Sequence, residues 1–119
     1  MTSWGEAVQE ELRAPGRALR AAVPDVYRQY QAMHVAAFRA GALEVKTKEL
    51  IALAIAVSRG CDGCIASHAR GAARRGATEA EVAEALGVAI SMNGGPGMVY
   101  APRAFAAFQE FAGTAGGPT

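Results

Sequence analysis

The sequence predicts an all-α fold, a compact single-domain bundle of five or six helices. Glycines and prolines divide the chain into helix-length pieces, and within them apolar residues recur at steps of three and four rather than two. The composition is 51% hydrophobic but only 7% aromatic, and small side chains such as alanine favour closely packed helices. With 119 residues there is room for one domain. We expect it to span 1–119, with its core at about 24–111.

The first half of the chain contains three predicted helices. A short amphipathic segment over about 4–12 should end before Pro15-Gly16. The second helix begins at Pro24, because proline is tolerated at a first helical position, and stops at Gly41. Its apolar stripe consists of Val23, Tyr27, Tyr30, His34 and Phe38. The third helix covers about 46–59. Its apolar face consists of Leu50, Leu53, Ala54 and Val57.

The second half contains the remaining helices. The fourth begins at the cysteines and ends near Gly76. The fifth opens with Thr78-Glu79-Ala80-Glu81, a capping-box pattern, and its apolar positions are Val82, Leu86 and Ile90. The glycine-rich segment 93–97 breaks the chain, and the last helix covers about 98–111 with phenylalanines at 105, 108 and 111. The remaining residues, 112–119, should fray or be disordered.

The two cysteines, Cys61 and Cys64, are three positions apart and need a chemical explanation. A bridge that closes so short a loop constrains little of the unfolded chain, so it stabilises poorly. Gly60 ends one helix, which puts Cys61 at the start of the next and Cys64 in its first turn. The unpaired N–H groups and the dipole of a helix start favour a thiolate. One cysteine can attack and the other resolve the product, although the charge of Asp62 opposes a second anion.

His68 and Glu49 are the candidate proton-transfer residues. His68 lies four residues after Cys64 on the same helical face and should lean towards it, which suits a base acting directly or through water. If helices three and four form an antiparallel hairpin, Glu49 and His68 differ in height by about 6 Å at about 1.5 Å per residue. We expect a bridging water rather than direct contact. A solvated acid near a helix start is the equal alternative for Glu49.

Other chemistry for these residues has less support. Cys61, Cys64 and His68 offer three soft ligands, whereas a structural zinc site needs four, and His34 is the only other histidine. We therefore predict no metal and no cofactor-binding residue. Ile65 after the second cysteine does not fit a c-type haem signature, and the lack of predicted strands argues against a thioredoxin-like context.

Three motifs together carry a resemblance to a known family. They are Glu49-Leu50-Ile51-Ala52-Leu53-Ala54, then Cys61-Asp62-Gly63-Cys64 with His68, then Gly76-Ala77-Thr78-Glu79-Ala80-Glu81-Val82 with Gly94-Gly95-Pro96. In this stretch, which covers about half of the chain over 46–100, the sequence resembles the alkyl hydroperoxidase D and carboxymuconolactone decarboxylase superfamily. The glutamate, CxxC and histidine at this spacing are far more specific than CxxC alone.

The resemblance implies an alkyl hydroperoxidase D-like helical fold and a peroxide-reducing activity. By position, Cys64 would attack the hydroperoxide, Cys61 would resolve the sulfenic acid, and His68 and Glu49 would relay protons. The resemblance also implies trimers or hexamers, which agrees with the apolar excess of so short a chain. We expect the phenylalanine stripe over 105–111, or the face around Ile90, to contribute to the interface. Hydroperoxidase D proteins tend to carry a histidine just before the second cysteine, where this chain has Gly63. That difference leaves the reductant, a dithiol or a protein, open.

Two other functions fit the same sequence. Decarboxylase-type members of the superfamily act on lactone acids without a CxxC pair, so Glu49 and His68 would then be the acid–base groups. A non-enzymatic, redox-responsive assembly protein is the third possibility. The presence of both cysteines together with His68 favours a CxxC-dependent thiol peroxidase with antioxidant activity.

Charge and hydropathy exclude several partners. The chain has 12 basic and 11 acidic residues and a net charge of +1, which supplies no field for nucleic acid or an anionic membrane. No apolar run approaches the roughly 20 residues that span a bilayer, and the N-terminus lacks the order of a signal peptide. We therefore expect a cytoplasmic protein, whose thiols stay reduced unless a redox cycle uses them.

Overall fold

The computed structural model describes residues 2–115, with side chains up to residue 113, and within that range the chain forms helices and no strand. The helices are α1 (Glu6–Ala22), α2 (Pro24–Phe38), α3 (Val45–Arg59), α4 (Asp62–Arg74), α5 (Glu79–Asn93) and α6 (Gly95–Ala115). The all-α prediction is therefore confirmed. No helix among these residues has both the length and the hydropathy needed to cross a membrane.

The core lies between α3, α4, α5 and α6. The apolar faces predicted for α3 and α5 point into it, and α4 contributes mainly alanines, which let its neighbours approach closely. The largest fully buried side chains are Leu53, Val57, Ile65 and Val82. Burying an aliphatic side chain of this size stabilises the fold by about 1.5–3 kcal/mol. This small core holds α3 and α4 side by side, which positions the site.

The ends of the central helices follow their local sequence. Gly60 adopts the left-handed conformation, with φ of 62°, so α3 closes with a Schellman motif in which the N–H of Gly60 bonds Val57 O and the N–H of Cys61 bonds Ala56 O. At the start of α5, Thr78 Oγ1 accepts from the N–H of Glu81, and the Glu81 carboxylate accepts from the N–H of Thr78. The predicted capping box is therefore confirmed.

The boundaries of α1 and α6 differ from the prediction. The expected break before Pro15 is wrong, because α1 continues through this proline to Ala22. The residues around Pro15 are exposed, so water can bond the carbonyl that loses its N–H partner. The last helix begins at Gly95 instead of about 98, since Pro96 falls in the first turn, where no intrahelical N–H is needed. It continues to Ala115, so the predicted fraying does not start at Ala112, and residues 116–119 lie outside the described range.

The first two helices pack on the outside of the core and contribute no buried residue. The start of α1 is held by Glu110 of α6, whose carboxylate accepts from the Ser3 hydroxyl at 2.7 Å. The same carboxylate accepts from three backbone N–H groups, those of Trp4, Gly5 and Glu6. The end of α2 is held by Lys48 of α3, whose Nζ donates to the carbonyls of Ala37 and Arg39 at 3.0 and 2.6 Å.

The apolar surface lies elsewhere than predicted. Phe108 and Phe111, expected to form part of an assembly surface, are buried in the protein's own core, and Phe105 and Ile90 pack against it. These side chains are buried or partly buried because α5 and α6 pack closely together. The exposed apolar side chains instead include Val88 and Met92 on α5, Met98 and Val99 on α6, and Val26, Tyr30, Met33 and Val35 on α2.

Candidate active site

Cys61 joins the two helices that carry the predicted site. Its backbone N–H completes the end of α3 by bonding Ala56 O at 3.1 Å. Its Sγ then accepts from the N–H of Cys64 at 3.2 Å, so the sulfur caps the start of α4. The predicted placement of both cysteines at a helix start is what the structure has. The N–H groups of this first turn favour negative charge on the sulfurs.

The two cysteines form a disulfide, with a Cα–Cα distance of 5.2 Å that is ordinary for such a bridge. Cys64 is exposed, whereas Cys61 is partly buried beneath it. A small molecule that approaches from solvent therefore meets Cys64 first.

Glu49 and His68 are in direct contact, with 2.7 Å between Glu49 Oε1 and His68 Nδ1. Their side chains are only 14% and 15% exposed, so Glu49 is not a solvated acid. The expected bridging water is wrong, since the two side chains together span the height difference of about 6 Å between their positions. A carboxylate can only accept, so Nδ1 donates, and in a neutral ring Nε2 is the nitrogen that can accept a proton.

Gly71 makes this contact possible. A Cβ placed on Gly71 of α4 would overlap the carboxylate of Glu49. The glycine lies in the interior of the helix, one turn after His68, where alanine would have the higher helix propensity. Gly71 was not predicted as a site residue. Its only signal in the sequence is that a glycine stands inside a helix, where no turn requires one.

Aromatic rings from α2 cover the outer face of His68. Phe38 stacks on it with centroids 5.5 Å apart, and His34 stacks on it with centroids 5.7 Å apart. These two rings also stack on each other at 4.3 Å. His34 and Phe38 share the predicted apolar stripe of α2, but neither was predicted at the site, because nothing in the local sequence indicates which helix that stripe meets.

Arg103 of α6 offsets the charge of Asp62, which was expected to oppose a thiolate. Its Nη1 lies 3.3 Å from Asp62 Oδ1, and its guanidinium lies over the rings of Trp4 and Tyr100, 4.1 and 4.7 Å from their centroids. Opposite charge at this range reduces the repulsion that the carboxylate exerts on a neighbouring anion. Arg103 is 41 positions from Asp62, and no motif links them.

Gly63, which replaces the histidine that the resemblance implied, lies against α1. A Cβ at this position would come 3.1 Å from Leu12 Cδ1. A large side chain here would therefore have to displace Leu12. Gly63 therefore serves the packing of α4 against α1. The histidine that the helix of the CxxC motif does contribute to the site is His68.

A groove of about 400 Å³ opens beside Cys64 and His68. We call it the apolar groove; it is lined by Ala37 and Phe38 of α2, by Lys48, Ile51, Ala52, Ile55, Ala56 and Arg59 of α3, and by Cys64 and His68. Cys61 and Glu49 do not line it. Within residues 2–115 no group of three or more His, Cys, Asp and Glu side chains could hold a metal ion.

The arrangement combines a redox pair with a proton acceptor. An exposed sulfur and an imidazole open into one groove, the imidazole is oriented by a carboxylate, and a second sulfur lies within bonding distance of the first. Such a site can transfer a proton from a thiol, carry two electrons in a disulfide, and present an apolar wall to a bound molecule.

Comparison with known proteins points to one family. The model of the carboxymuconolactone decarboxylase family matches residues 24–110. An uncharacterised protein of Cupriavidus necator is 44% identical over 91 residues, which cover 76% of this chain and 80% of the relative. An uncharacterised protein of the cox locus of Paracoccus denitrificans is 39% identical over 84 residues, covering 71% and 76%.

A solved structure has the same architecture. The crystal structure of a carboxymuconolactone decarboxylase family protein from Legionella pneumophila, in its apo form, superimposes with a TM-score of 0.86 at 38% identity. The superposition covers 89% of this chain and 95% of that protein.

Proposed function

The chain belongs to the carboxymuconolactone decarboxylase family, and from that premise we propose that it is a CxxC-dependent thiol peroxidase that reduces organic hydroperoxides. One observation carries the proposal. The exposed Cys64 shares the apolar groove with His68, whose Nδ1 is held by Glu49 at 2.7 Å. A base oriented in this way, beside a thiol at a helix start, is what activation of a sulfur nucleophile requires.

In the proposed first step, His68 accepts the proton of Cys64 and the thiolate attacks the outer oxygen of the hydroperoxide. The S–O bond forms as the O–O bond breaks, which leaves Cys64 as a sulfenic acid. The departing alkoxide takes a proton from the imidazolium and leaves as an alcohol. Glu49 stabilises the transient positive charge on His68 through its hydrogen bond to Nδ1.

In the second step the thiol of Cys61 attacks the sulfenic sulfur of Cys64. The S–S bond forms, the S–O bond breaks and water leaves with the thiol proton. The product is the disulfide between these two residues that the structure contains. An external dithiol then reduces it by two exchange reactions and is itself oxidised to a disulfide.

The cysteine variants test this function. With cumene hydroperoxide and dithiothreitol, Cys64→Ser should abolish peroxide consumption, because the attacking sulfur is gone. After reduction and removal of the dithiothreitol, which would itself reduce the sulfenic acid, Cys61→Ser should consume about one equivalent and leave a sulfenic acid that dimedone traps. Serine is a good N-cap residue, so Cys61→Ser keeps a cap for α4 and isolates the chemical effect. A Cys64→Ser variant with full activity, or a native protein that consumes no peroxide, would reject the proposal.

The acid–base alternative keeps one specific support. The bond between Glu49 and His68 needs neither sulfur, so a reaction on a lactone acid could use the pair without the cysteines. That function predicts full activity of Cys64→Ser on a lactone acid and none of His68→Gln. We favour the peroxidase because Cys64, not Glu49, lines the apolar groove.

A further inference from the structure

The apolar groove is cationic as well as apolar. Along α3 its wall consists of side chains one turn apart, with Ile51 and Ile55 in the middle, Lys48 nearer the start and Arg59 at the end. From Lys48 to Arg59 the helix rises by about 16 Å. No carboxylate lines this groove among the residues that the structure describes.

The two cations differ in how they are used. Lys48 is committed to the end of α2, where its Nζ donates to two carbonyls at 2.6 and 3.0 Å. Arg59 makes no ion pair or side-chain hydrogen bond within residues 2–115. Its guanidinium therefore presents a fork of N–H donors that matches a carboxylate and that no described residue occupies.

We propose that the apolar groove selects organic hydroperoxides that carry a carboxylate, with Arg59 as the residue that binds it. This inference rests on the proposed peroxidase function and names its substrate class. The body of the substrate packs on Ile51, Ile55 and Phe38, its hydroperoxyl group meets Cys64, and its carboxylate pairs with Arg59. The volume of about 400 Å³ lies within the range of about 300–1,000 Å³ typical of small-ligand pockets.

The carboxylate takes no part in the bond changes. The hydroperoxide still becomes the alcohol, Cys64 still becomes the sulfenic acid and then the disulfide, and a dithiol is still the reductant. What the ion pair adds is orientation, since a substrate held at two points presents its outer oxygen to the sulfur more often. A charge-assisted, bidentate ion pair at a partly open site adds modestly to the affinity for the substrate, and this contribution falls as the ionic strength rises.

A matched pair of peroxides tests the inference. We would measure kcat/KM with dithiothreitol for cumene hydroperoxide and for the same molecule with a carboxylate at the 4-position. The native protein should prefer the carboxylate by about three- to tenfold at low salt. Arg59→Gln should lower kcat/KM for the carboxylate substrate more than for the neutral one, so that the preference is lost, and Arg59→Lys should keep part of the preference. Arg17 lies on α1 and away from this groove. Arg17→Gln removes the same charge and should keep the whole preference for the carboxylate substrate.

Three outcomes would overturn the inference: equal rates for the two substrates in the native protein, an equal loss for both in Arg59→Gln, or a loss of preference in Arg17→Gln. The last would indicate a long-range effect of net charge instead of a binding residue.

A second readout separates this inference from the function on which it rests. In the reduced protein, 4-isopropylbenzoate should slow alkylation of Cys64 by iodoacetamide, and uncharged isopropylbenzene should not. Arg59→Gln should lose the protection, whether or not the protein reduces peroxides. Protection that follows protein concentration instead of the carboxylate would assign the groove to a second copy of the chain and reject the proposal.

Discussion

At the scale of single residues, the site depends on the space between α3 and α4. The carboxylate of Glu49 reaches His68 only because Gly71 has no side chain where the carboxylate lies. Elsewhere in α4 the buried positions carry a small side chain, as at the fully buried Ala69 and Ala72. Gly71 therefore acts on the chemistry through Glu49, and it is a positioning residue.

Gly71→Ala should displace Glu49 and lower peroxidase activity by about tenfold, part of the roughly 10²-fold or more expected for loss of His68 as a base. It should also shift or flatten the pH profile of Cys64 alkylation, and Glu49→Gln should do the same. Gly87→Ala is the matched control, because Gly87 lies inside α5 with nothing near its absent Cβ. The control should stabilise the protein by about 0.5–1 kcal/mol and leave the profile unchanged. A Gly71→Ala profile that overlaps the native one would contradict this role.

The residues that sequence analysis found are those tied together by local geometry. Cys61, Cys64 and His68 share the first turns of one helix, and a single glycine turn brings Glu49 alongside. Gly71 and Arg103 were not predicted. The effect of Gly71 depends on how closely two helices approach, and Arg103 meets Asp62 across 41 positions. Neither depends on a spacing that the sequence displays.

At the scale of helices, the start of α1 is held by one carboxylate. Desolvation would raise the pKa of Glu110, but the hydrogen bonds from the Ser3 hydroxyl and from the N–H groups of Glu6, Trp4 and Gly5 outweigh it, so its pKa lies below the ordinary 4.5. Because the folded pKa is depressed, this anchor contributes its full stability above pH 4.5. The contribution is lost as the pH falls through the lower, folded pKa.

We expect acid to release the start of α1, and Trp4, the only tryptophan, should report it. Its emission should change as the pH falls below about 4.5. Glu110→Gln should show the changed emission already at pH 7, because the neutral amide is a weaker acceptor for the three N–H groups. Glu84→Gln, at an exposed position of α5, is the control for charge and should behave as the native protein. An acid transition of Trp4 that is unaltered in Glu110→Gln would refute the anchor.

Helix ends were predictable where the signal is chemical and local. Gly60 and the capping box at Thr78 each supply bonds that a continuing helix would not make, and both ends were predicted within a residue or two. Pro15 gave a wrong signal because a proline disturbs only one backbone hydrogen bond and its own turn. On an exposed helix, water can form the hydrogen bond with the carbonyl that the proline leaves unpaired.

At the scale of the whole molecule, exposed apolar side chains remain after the core is filled. Met92 is 80% exposed and Val88 is 64% exposed, while Met98 and Val99 follow nearby at the start of α6. An apolar surface of this kind commonly marks an interface. The phenylalanines that were expected to form it went into the core, because the sequence does not tell which of two apolar stripes faces inward.

We therefore predict a homo-oligomer of the 12.3 kDa chain, and the family resemblance implies a trimer or a hexamer. Light scattering at micromolar concentration should give three or six times that mass. Met92→Glu should weaken the association, because the interface would have to bury a charge. Ala83→Glu introduces the same charge at an exposed position on the opposite side of the same helix and should leave the mass unchanged. A particle of the single-chain mass in the native protein would reject the prediction.

The weak attachment of α2 has a consequence for reaction rates. This helix buries no side chain and is held to α3 by the two bonds from Lys48, yet it supplies the rings that cover His68. In a lone chain it can open at far lower cost than global unfolding, so the imidazole is exposed to solvent on the timescale of local fluctuations. If a neighbouring copy covers the exposed side of α2, association stabilises the closed form by mass action. Protein concentration would then set how long the base stays covered, and dilution alone would change the reactivity of the thiol.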